Sequence, residues 1–141
     1  MLNKLKMNKM LDCFSGKRVI ITGHTGFKGS WLSVWLKMLG ADVTGIALDP
    51  ITSPSHFQVA GLETQLTDHR IDIRDFAALD RVIKQVAPEF IFHLAAQPLV
   101  RDSYVNPIDT YAVNMIGTVH VLDSLRTINK ECIAVFITSD K

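Results

Sequence analysis

A glycine loop between an apolar run and a helical pattern is the feature that most constrains how this chain folds. Residues 22–29 read Thr-Gly-His-Thr-Gly-Phe-Lys-Gly, directly after the β-branched run at 19–22. In such a loop Gly23 permits the tight turn, Gly26 lets the backbone approach a pyrophosphate, and Gly29 lets the next helix pack closely on the strand. The pattern predicts a strand–turn–helix unit whose helix N-terminus binds phosphate groups.

Strand and helix patterns alternate along the rest of the chain, which predicts an α/β fold with a doubly wound parallel sheet of about five strands. The strands are expected at 19–22, 43–48, 70–73, 90–95 and 133–137. The stretch from 51 to 67 is of mixed polarity, and we expect it to be a connection with one short helix.

The expected helices are marked by their ends as well as by their apolar periodicity. A helix at 30–39 ends before Gly40, a position typical of a capping glycine. Asp75 is expected to cap a helix over 76–86. Asn106 and Pro107 begin the longest helix, whose apolar stripe comprises Ile108, Tyr111, Ala112, Met115, Ile116, Val119, Leu122 and Leu125. One side of this helix is expected to join the core, and the other could form a dimer contact.

Composition excludes several classes of function. Fifteen Lys and Arg against fourteen Asp and Glu give a net charge of +1, so no excess of basic residues favours nucleic acid as a partner. No apolar run is long enough for a membrane span, so no membrane association is expected. The two cysteines are too few for a disulfide framework, and with no secretory signal we expect a cytoplasmic protein. We expect residues 1–14 to be an N-terminal extension and residues 15–141 to form one domain.

The loop does not fit the other common phosphate-binding motif. A P-loop needs Gly-Lys followed by Ser or Thr, whereas Lys28 precedes Gly29 here.

Asp49 ends the second expected strand, twenty residues after Gly29. A carboxylate at this position binds the ribose hydroxyls of NAD and repels a 2′-phosphate, so the expected cofactor is NAD.

The spacing of the glycines resembles the extended, nucleotide-sugar-modifying branch of the short-chain dehydrogenase/reductase superfamily. The resemblance continues in the acidic–apolar pair at 72–73, in His-Leu-Ala-Ala-Gln at 93–97 and in Asn-x-x-Gly-Thr at 114–118. It implies an NAD-binding Rossmann domain. The cofactor-binding residues that it implies, together with those of the loop, are Gly23, Gly26, Phe27, Lys28, Gly29, Asp49, Asp72, Ile73, Leu94, Ala95, Ala96, Gln97 and Asn114.

Within that branch, the stretches at 23–32 and 95–101 and the closing Thr-Ser-Asp-Lys resemble the 4,6-dehydratases that act on CDP-glucose. The resemblance implies a lyase that forms CDP-4-keto-6-deoxyglucose and works as a homodimer. By this resemblance Ser139 hydrogen-bonds the C4 hydroxyl of the sugar and Asp140 is the acid toward its C6 oxygen. Lys141 stands where related enzymes that act on dTDP-glucose carry a glutamate, and the resemblance implies a part for it in proton transfer at C5.

The Tyr-x-x-x-Lys pair of the superfamily is absent from these 141 residues, because Ile108 and Met115 stand four positions after the tyrosines. We expect the Rossmann domain to be truncated after its fifth strand, with the substrate domain absent, the edge of that strand uncovered and no turnover by this chain alone. Two alternatives stay open: a nucleotide-sugar epimerase or a dehydratase for another nucleotide sugar, and a non-catalytic fragment that binds NAD.

The remaining aromatic and histidine residues have simpler interpretations. His24 could line the phosphate site or face solvent, and His93 is expected to be a hydrogen-bonded core residue. The other histidines show no metal-ligand spacing, so no metal site is expected. Trp31 and Trp35 are expected to pack against the sheet, and Arg101 to be solvated.

Overall fold

The structure, a computed structural model, describes residues 12–138. Its five strands are β1 (Arg18–Thr22), β2 (Asp42–Ala47), β3 (Thr67–Arg70), β4 (Phe90–His93) and β5 (Ile133–Phe136). They form one sheet in the order β3-β2-β1-β4-β5, and every neighbouring pair is parallel. This order confirms the doubly wound α/β fold.

The helices connect the strands on both faces of the sheet, as right-handed crossovers require. They are α1 (Phe27–Met38), α2 (His56–Val59), α3 (Phe76–Val86), α4 (Val100–Val105), α5 (Pro107–Tyr111) and α6 (Gly117–Thr127). A π-helical segment, Ala112–Ile116, joins α5 to α6, and we call residues 107–127 the long helix. Short 3-10 turns lie at Asp12–Phe14 and Leu62–Thr64.

Two hydrophobic clusters hold the layers together. One lies between the sheet and the helices α3 and α6, and its buried members are Ile20, Ile46, Ile73, Leu79, Val82, Ile83, Ile91 and Val121. The other lies on the face of α1 and comprises Val19, Ile21, Leu36, Ala41 and Val43. Side chains of β1 alternate between the clusters, so this strand is buried on both faces.

The helix over 76–86 and its cap are confirmed. The Asp75 side chain accepts a hydrogen bond from the Ala78 backbone N–H at 3.1 Å. The third strand, in contrast, was predicted three residues too late. It runs Thr-Asp-His-Arg at the outer side of the sheet, where polar residues are tolerated and no apolar run marks the strand.

One prediction about apolar helix faces is wrong, and another is sharpened. Trp31 and Trp35 do not pack on the sheet, because their side chains are more than half exposed on the outer face of α1. In the long helix the residues Gly117, Val121 and Ser124 are buried and face the interior. They let the helix pack closely on α3 and on Ile73. Most of the expected stripe points outward: Ile108, Tyr111, Met115, Ile116, Val119 and Leu122 are exposed.

The termini of the described region bear on two other expectations. Phe14 was assigned to the extension, yet its ring lies 4.9 Å from that of Phe90, centroid to centroid, and 6.3 Å from that of Phe92. Among the described strands β5 pairs only with β4, and its Ile133 and Val135 are exposed. Across residues 12–138 no helix is long and apolar enough to cross a membrane.

Candidate functional site

The glycine loop lies at the carboxyl end of β1, between β2 and β4. Gly23 has a φ of 76°, and a Cβ atom there would lie 2.8 Å from the Ala95 backbone nitrogen. The loop and the segment after β4 therefore touch through their backbones. In a doubly wound sheet this is the point where the strand order reverses and where ligands bind.

The other two loop glycines differ in what surrounds them. A Cβ atom on Gly29 would lie 2.1 Å from the Gly23 carbonyl oxygen, so the start of α1 packs against the turn itself. A Cβ atom on Gly26 would meet only that same oxygen, at 3.4 Å, which is ordinary contact. The packing of the chain does not require Gly26 to be glycine, and the space beside this exposed residue is open.

The first turn of α1 supplies donors at the same place. No side chain caps this helix, and Gly26, Phe27 and Lys28 are exposed. The free N–H groups and the positive end of the helix dipole favour an anion. The open space at Gly26 and this uncapped helix start fit a pyrophosphate group.

A buried hydrogen-bond network fixes the segment after β4. The Thr22 hydroxyl accepts from the backbone N–H groups of Leu94 and Ala95, both at 3.2 Å, and lies 2.7 Å from His93 Nδ1. His93 Nε2 lies 3.1 Å from the Thr118 hydroxyl, which donates to the Asn114 carbonyl oxygen. Every polar group of this network has a partner when the Thr22 hydroxyl donates to Nδ1 of His93 and the ring carries its hydrogen on Nε2, which then donates to the Thr118 hydroxyl. The expectation of a hydrogen-bonded core histidine is confirmed.

Burial lowers the pKa of His93 from 6.5 to about 4. A protonated ring would also present a second N–H to the Thr22 hydroxyl, which already accepts two hydrogen bonds. The imidazole therefore stays neutral in the folded protein throughout the physiological range.

Acidification is expected to destabilise the protein through His93. Between pH 6.5 and 4 the unfolded chain binds a proton on this residue and the folded chain does not, so stability falls as the pH falls, by about 3 kcal/mol over this window. Urea unfolding at several pH values measures the slope. In His93→Gln this contribution should vanish, whereas the control His69→Gln should keep it. Equal slopes in the wild type and His93→Gln would contradict the prediction.

Asn114 holds the same segment from the long helix. Its Oδ1 accepts from the Gln97 N–H at 2.7 Å, and its Nδ2 donates to the Gln97 carbonyl oxygen at 3.1 Å. Asn114 lies in the π-helical segment, an irregularity that is frequent at functional sites. Its amide thus positions the backbone at 94–97. Ala96 lies in this segment and is exposed.

The expected ribose and adenine residues lie at the same edge of the sheet. Asp49 follows β2 with a side chain that is 89% exposed, and Asp72 follows β3. Hydrogen bonds from Arg74 hold the pKa of Asp72 below its usual range. Ile73 is buried against Gly117, so its side chain belongs to the core.

His24 departs from both of its expected positions. Its ring is fully buried, packs edge-on against Phe57 and lies over Gly45, where a Cβ atom would come within 2.3 Å of the ring. Its Nε2 lies 2.8 Å from Asp68 Oδ1. Sequence reasoning missed this contact because Asp68 stood outside the expected strand.

The remaining sequence predictions concern the catalytic residues, Arg101 and a metal site. The expected catalytic residues Ser139, Asp140 and Lys141 lie outside the described residues. Arg101 lies on α4 and is exposed, as expected. Within residues 12–138 no three His, Cys, Asp or Glu residues come together in a group that could hold a metal ion.

The strand order and the glycine loop define a Rossmann domain of the short-chain dehydrogenase/reductase type. A family model described as GDP-mannose 4,6 dehydratase matches residues 20–141. The chain belongs to this family.

Individual relatives agree with this assignment. The chain is 52% identical over 128 residues to the CDP-glucose 4,6-dehydratase of Salmonella typhimurium, a match that covers 91% of this chain and 36% of that enzyme. An epimerase structure from Methanothermobacter thermautotrophicus superimposes with a TM-score of 0.78 at 30% identity, covering 94% of this chain and 38% of the other. The structure of the UDP-glucose 4-epimerase of Thermus thermophilus in complex with NAD superimposes with a TM-score of 0.68 at 26% identity. This match covers 79% of this chain and 34% of the other. This chain thus spans little more than a third of the relatives' length.

Proposed function

We propose that the chain is the NAD-binding portion of a nucleotide-sugar 4,6-dehydratase that converts CDP-glucose to CDP-4-keto-6-deoxyglucose. The observation that supports cofactor binding most directly is the open space at Gly26 beside the uncapped start of α1. The choice of CDP-glucose follows the Salmonella relative, which is a CDP-glucose 4,6-dehydratase.

The described residues have distinct parts in this proposal. The backbone of the loop and of the first turn of α1 binds the pyrophosphate of NAD, and Asp49 accepts from the ribose hydroxyls. The Thr22–His93–Thr118 network and Asn114 hold the segment at 94–97 beside the cofactor. When bound, NAD supplies reversible hydride acceptance, so that a sugar can be oxidised at C4 and later reduced at C6.

The proposed catalytic residues act on the sugar itself. Ser139 holds the C4 hydroxyl, Asp140 protonates the departing C6 oxygen, and Lys141 takes part at the C5 proton. Loss of that proton and of the C6 hydroxyl releases water across C5–C6. A lysine acts as a base only when its pKa is lowered, for instance by burial or by nearby cations.

The 141-residue chain is expected to bind NAD and to give no dehydratase turnover by itself, because it lacks the Tyr-x-x-x-Lys pair. Isothermal titration with NAD and a product assay with CDP-glucose measure the two properties. Product formation by this chain would contradict the second expectation.

The substrate is tested on a protein of the length of the relatives that contains this segment. Incubation with CDP-glucose, dTDP-glucose, UDP-glucose and GDP-mannose should give a 4-keto-6-deoxy product from CDP-glucose. Inversion at C4 without loss of water would show the alternative, an epimerase. Failure of the chain to bind NAD would overturn the proposal at its base.

The cellular setting belongs to the same proposal. Both cysteines are free thiols, which supports a cytoplasmic location. We place the contact of a homodimer on the exposed apolar side of the long helix, which carries Ile108, Tyr111, Met115, Val119 and Leu122.

A further inference from the structure

A cation lies beside the carboxylate that is proposed to bind the ribose. Arg70 is the last residue of β3, and the register places it opposite Ala47 at the end of β2. Two residues later the chain reaches Asp49, whose Oδ1 lies 3.3 Å from Arg70 Nη1. Because Asp49 is 89% exposed, this ion pair contributes little to stability. Its position at the proposed ribose site indicates a role in cofactor recognition rather than in folding.

Arg70 is held in place by contacts that do not involve Asp49. Asp68 Oδ2 accepts from its Nε at 3.0 Å and from its Nη2 at 2.7 Å. The guanidinium carbon lies 5.0 Å above the centre of the Phe57 ring. A planar guanidinium held by a carboxylate and an aromatic ring loses little further freedom when it binds a ligand. The positive charge would therefore stay in position if Asp49 were replaced.

Asp68 is in turn anchored by the glycine loop. Its Oδ1 lies 2.8 Å from Nε2 of the fully buried His24, and its side chain is 17% exposed. Burial lowers the pKa of His24, so the neutral ring donates its Nε2 hydrogen to the carboxylate. A continuous path runs from the glycine loop through His24, Asp68 and Arg70 to Asp49.

We propose that Arg70 is a specificity-determining residue for the cofactor, acting together with Asp49. In the wild type Arg70 orients the Asp49 carboxylate toward the ribose hydroxyls. Once that carboxylate is neutralised, Arg70 is a ready ligand for a 2′-phosphate, because an arginine near this position accommodates the phosphate of NADP. The inference rests on the proposed binding of NAD at the glycine loop.

Two substitutions and their combination test the pairing by titration of each variant with NAD and NADP. Asp49→Asn removes the charge and keeps the shape, and we expect it to tighten NADP binding by about tenfold or more. Adding Arg70→Met should abolish that gain. Arg70→Met alone should weaken NAD binding several-fold without improving NADP binding. Arg126→Met is the matched control, because Arg126 pairs with Asp123 on α6.

The outcomes separate this inference from the proposed function. If Asp49→Asn and the double variant bind NADP equally well, Arg70 has no part in specificity and the inference is overturned while NAD binding stands. If Asp49→Asn gains nothing for NADP, the inference is likewise overturned. If no form of the chain binds NAD, the proposed function fails and the inference fails with it. Circular dichroism confirms that each variant is folded.

Discussion

Replacing Gly26 with alanine is expected to weaken NAD binding strongly while leaving the ligand-free protein almost as stable as before. The added methyl group meets only the Gly23 carbonyl oxygen, at 3.4 Å, so the chain itself has room for it. The same methyl group occupies the open space through which the backbone is proposed to approach the pyrophosphate. Overpacking by one methyl group costs about 1–3 kcal/mol, or about 5- to 150-fold in the dissociation constant.

The expected effect of Gly26→Ala on folding is small for two opposing reasons. Alanine is a poorer N-cap than glycine, which costs about 0.5–1 kcal/mol. Alanine also lowers the conformational entropy of the unfolded chain, which stabilises the folded protein by about 0.4–1 kcal/mol. This gain is available because the φ of −74° at Gly26 suits alanine. Titration calorimetry and urea unfolding measure the two effects. Unchanged NAD binding would show that the cofactor does not approach this glycine.

Replacing Gly29 with alanine is expected to damage the fold itself. The Cβ atom would lie 2.1 Å from the Gly23 carbonyl oxygen and 2.8 Å from the Cα atom of His24. Both neighbours are backbone atoms, so the turn must move away from α1. We expect the free energy of unfolding to fall by about 3 kcal/mol or more.

Gly26→Ala is the matched control for Gly29→Ala, because the two variants make the same chemical change three residues apart. Urea unfolding of both, followed by far-ultraviolet circular dichroism, tests it. A Gly29→Ala protein as stable as Gly26→Ala would show that α1 does not depend on its close approach to the turn. Loss of soluble protein in Gly29→Ala alone agrees with the prediction.

The parts of the fold that depend on short-range signals could be predicted from the sequence. The run at 19–22 is buried because β1 lies at the centre of the sheet, and Asp75 caps α3 as its side-chain chemistry dictates. Predictions failed where tertiary position overrides the local pattern. β3 is an outer strand without an apolar run, and α6 turns Gly117 and Ser124 inward where it packs on α3 and Ile73.

Some features of the candidate site could likewise be predicted from the sequence, and others could not. The glycine loop is visible in the sequence because its spacing reflects backbone geometry. The contacts of His24 with Asp68 and of Arg70 with Asp49 depend on the register of β2 and β3, which local periodicity does not specify. The clamp of Asn114 on Gln97 joins residues seventeen positions apart through the irregular part of the long helix.

The exposed position of β5 has a consequence for the order in which the sheet opens. β1 is hydrogen-bonded on both sides, whereas β5 has β4 as its one neighbour among the described strands. Local opening begins where few apolar groups are buried, so amide hydrogens of β5 should exchange with solvent before those of β1. Phe136 of this strand packs on His93, 5.3 Å between ring centroids. Each opening of β5 therefore uncovers the His93 ring, on which the segment after β4 depends, so we expect opening of this strand to loosen the candidate site as well.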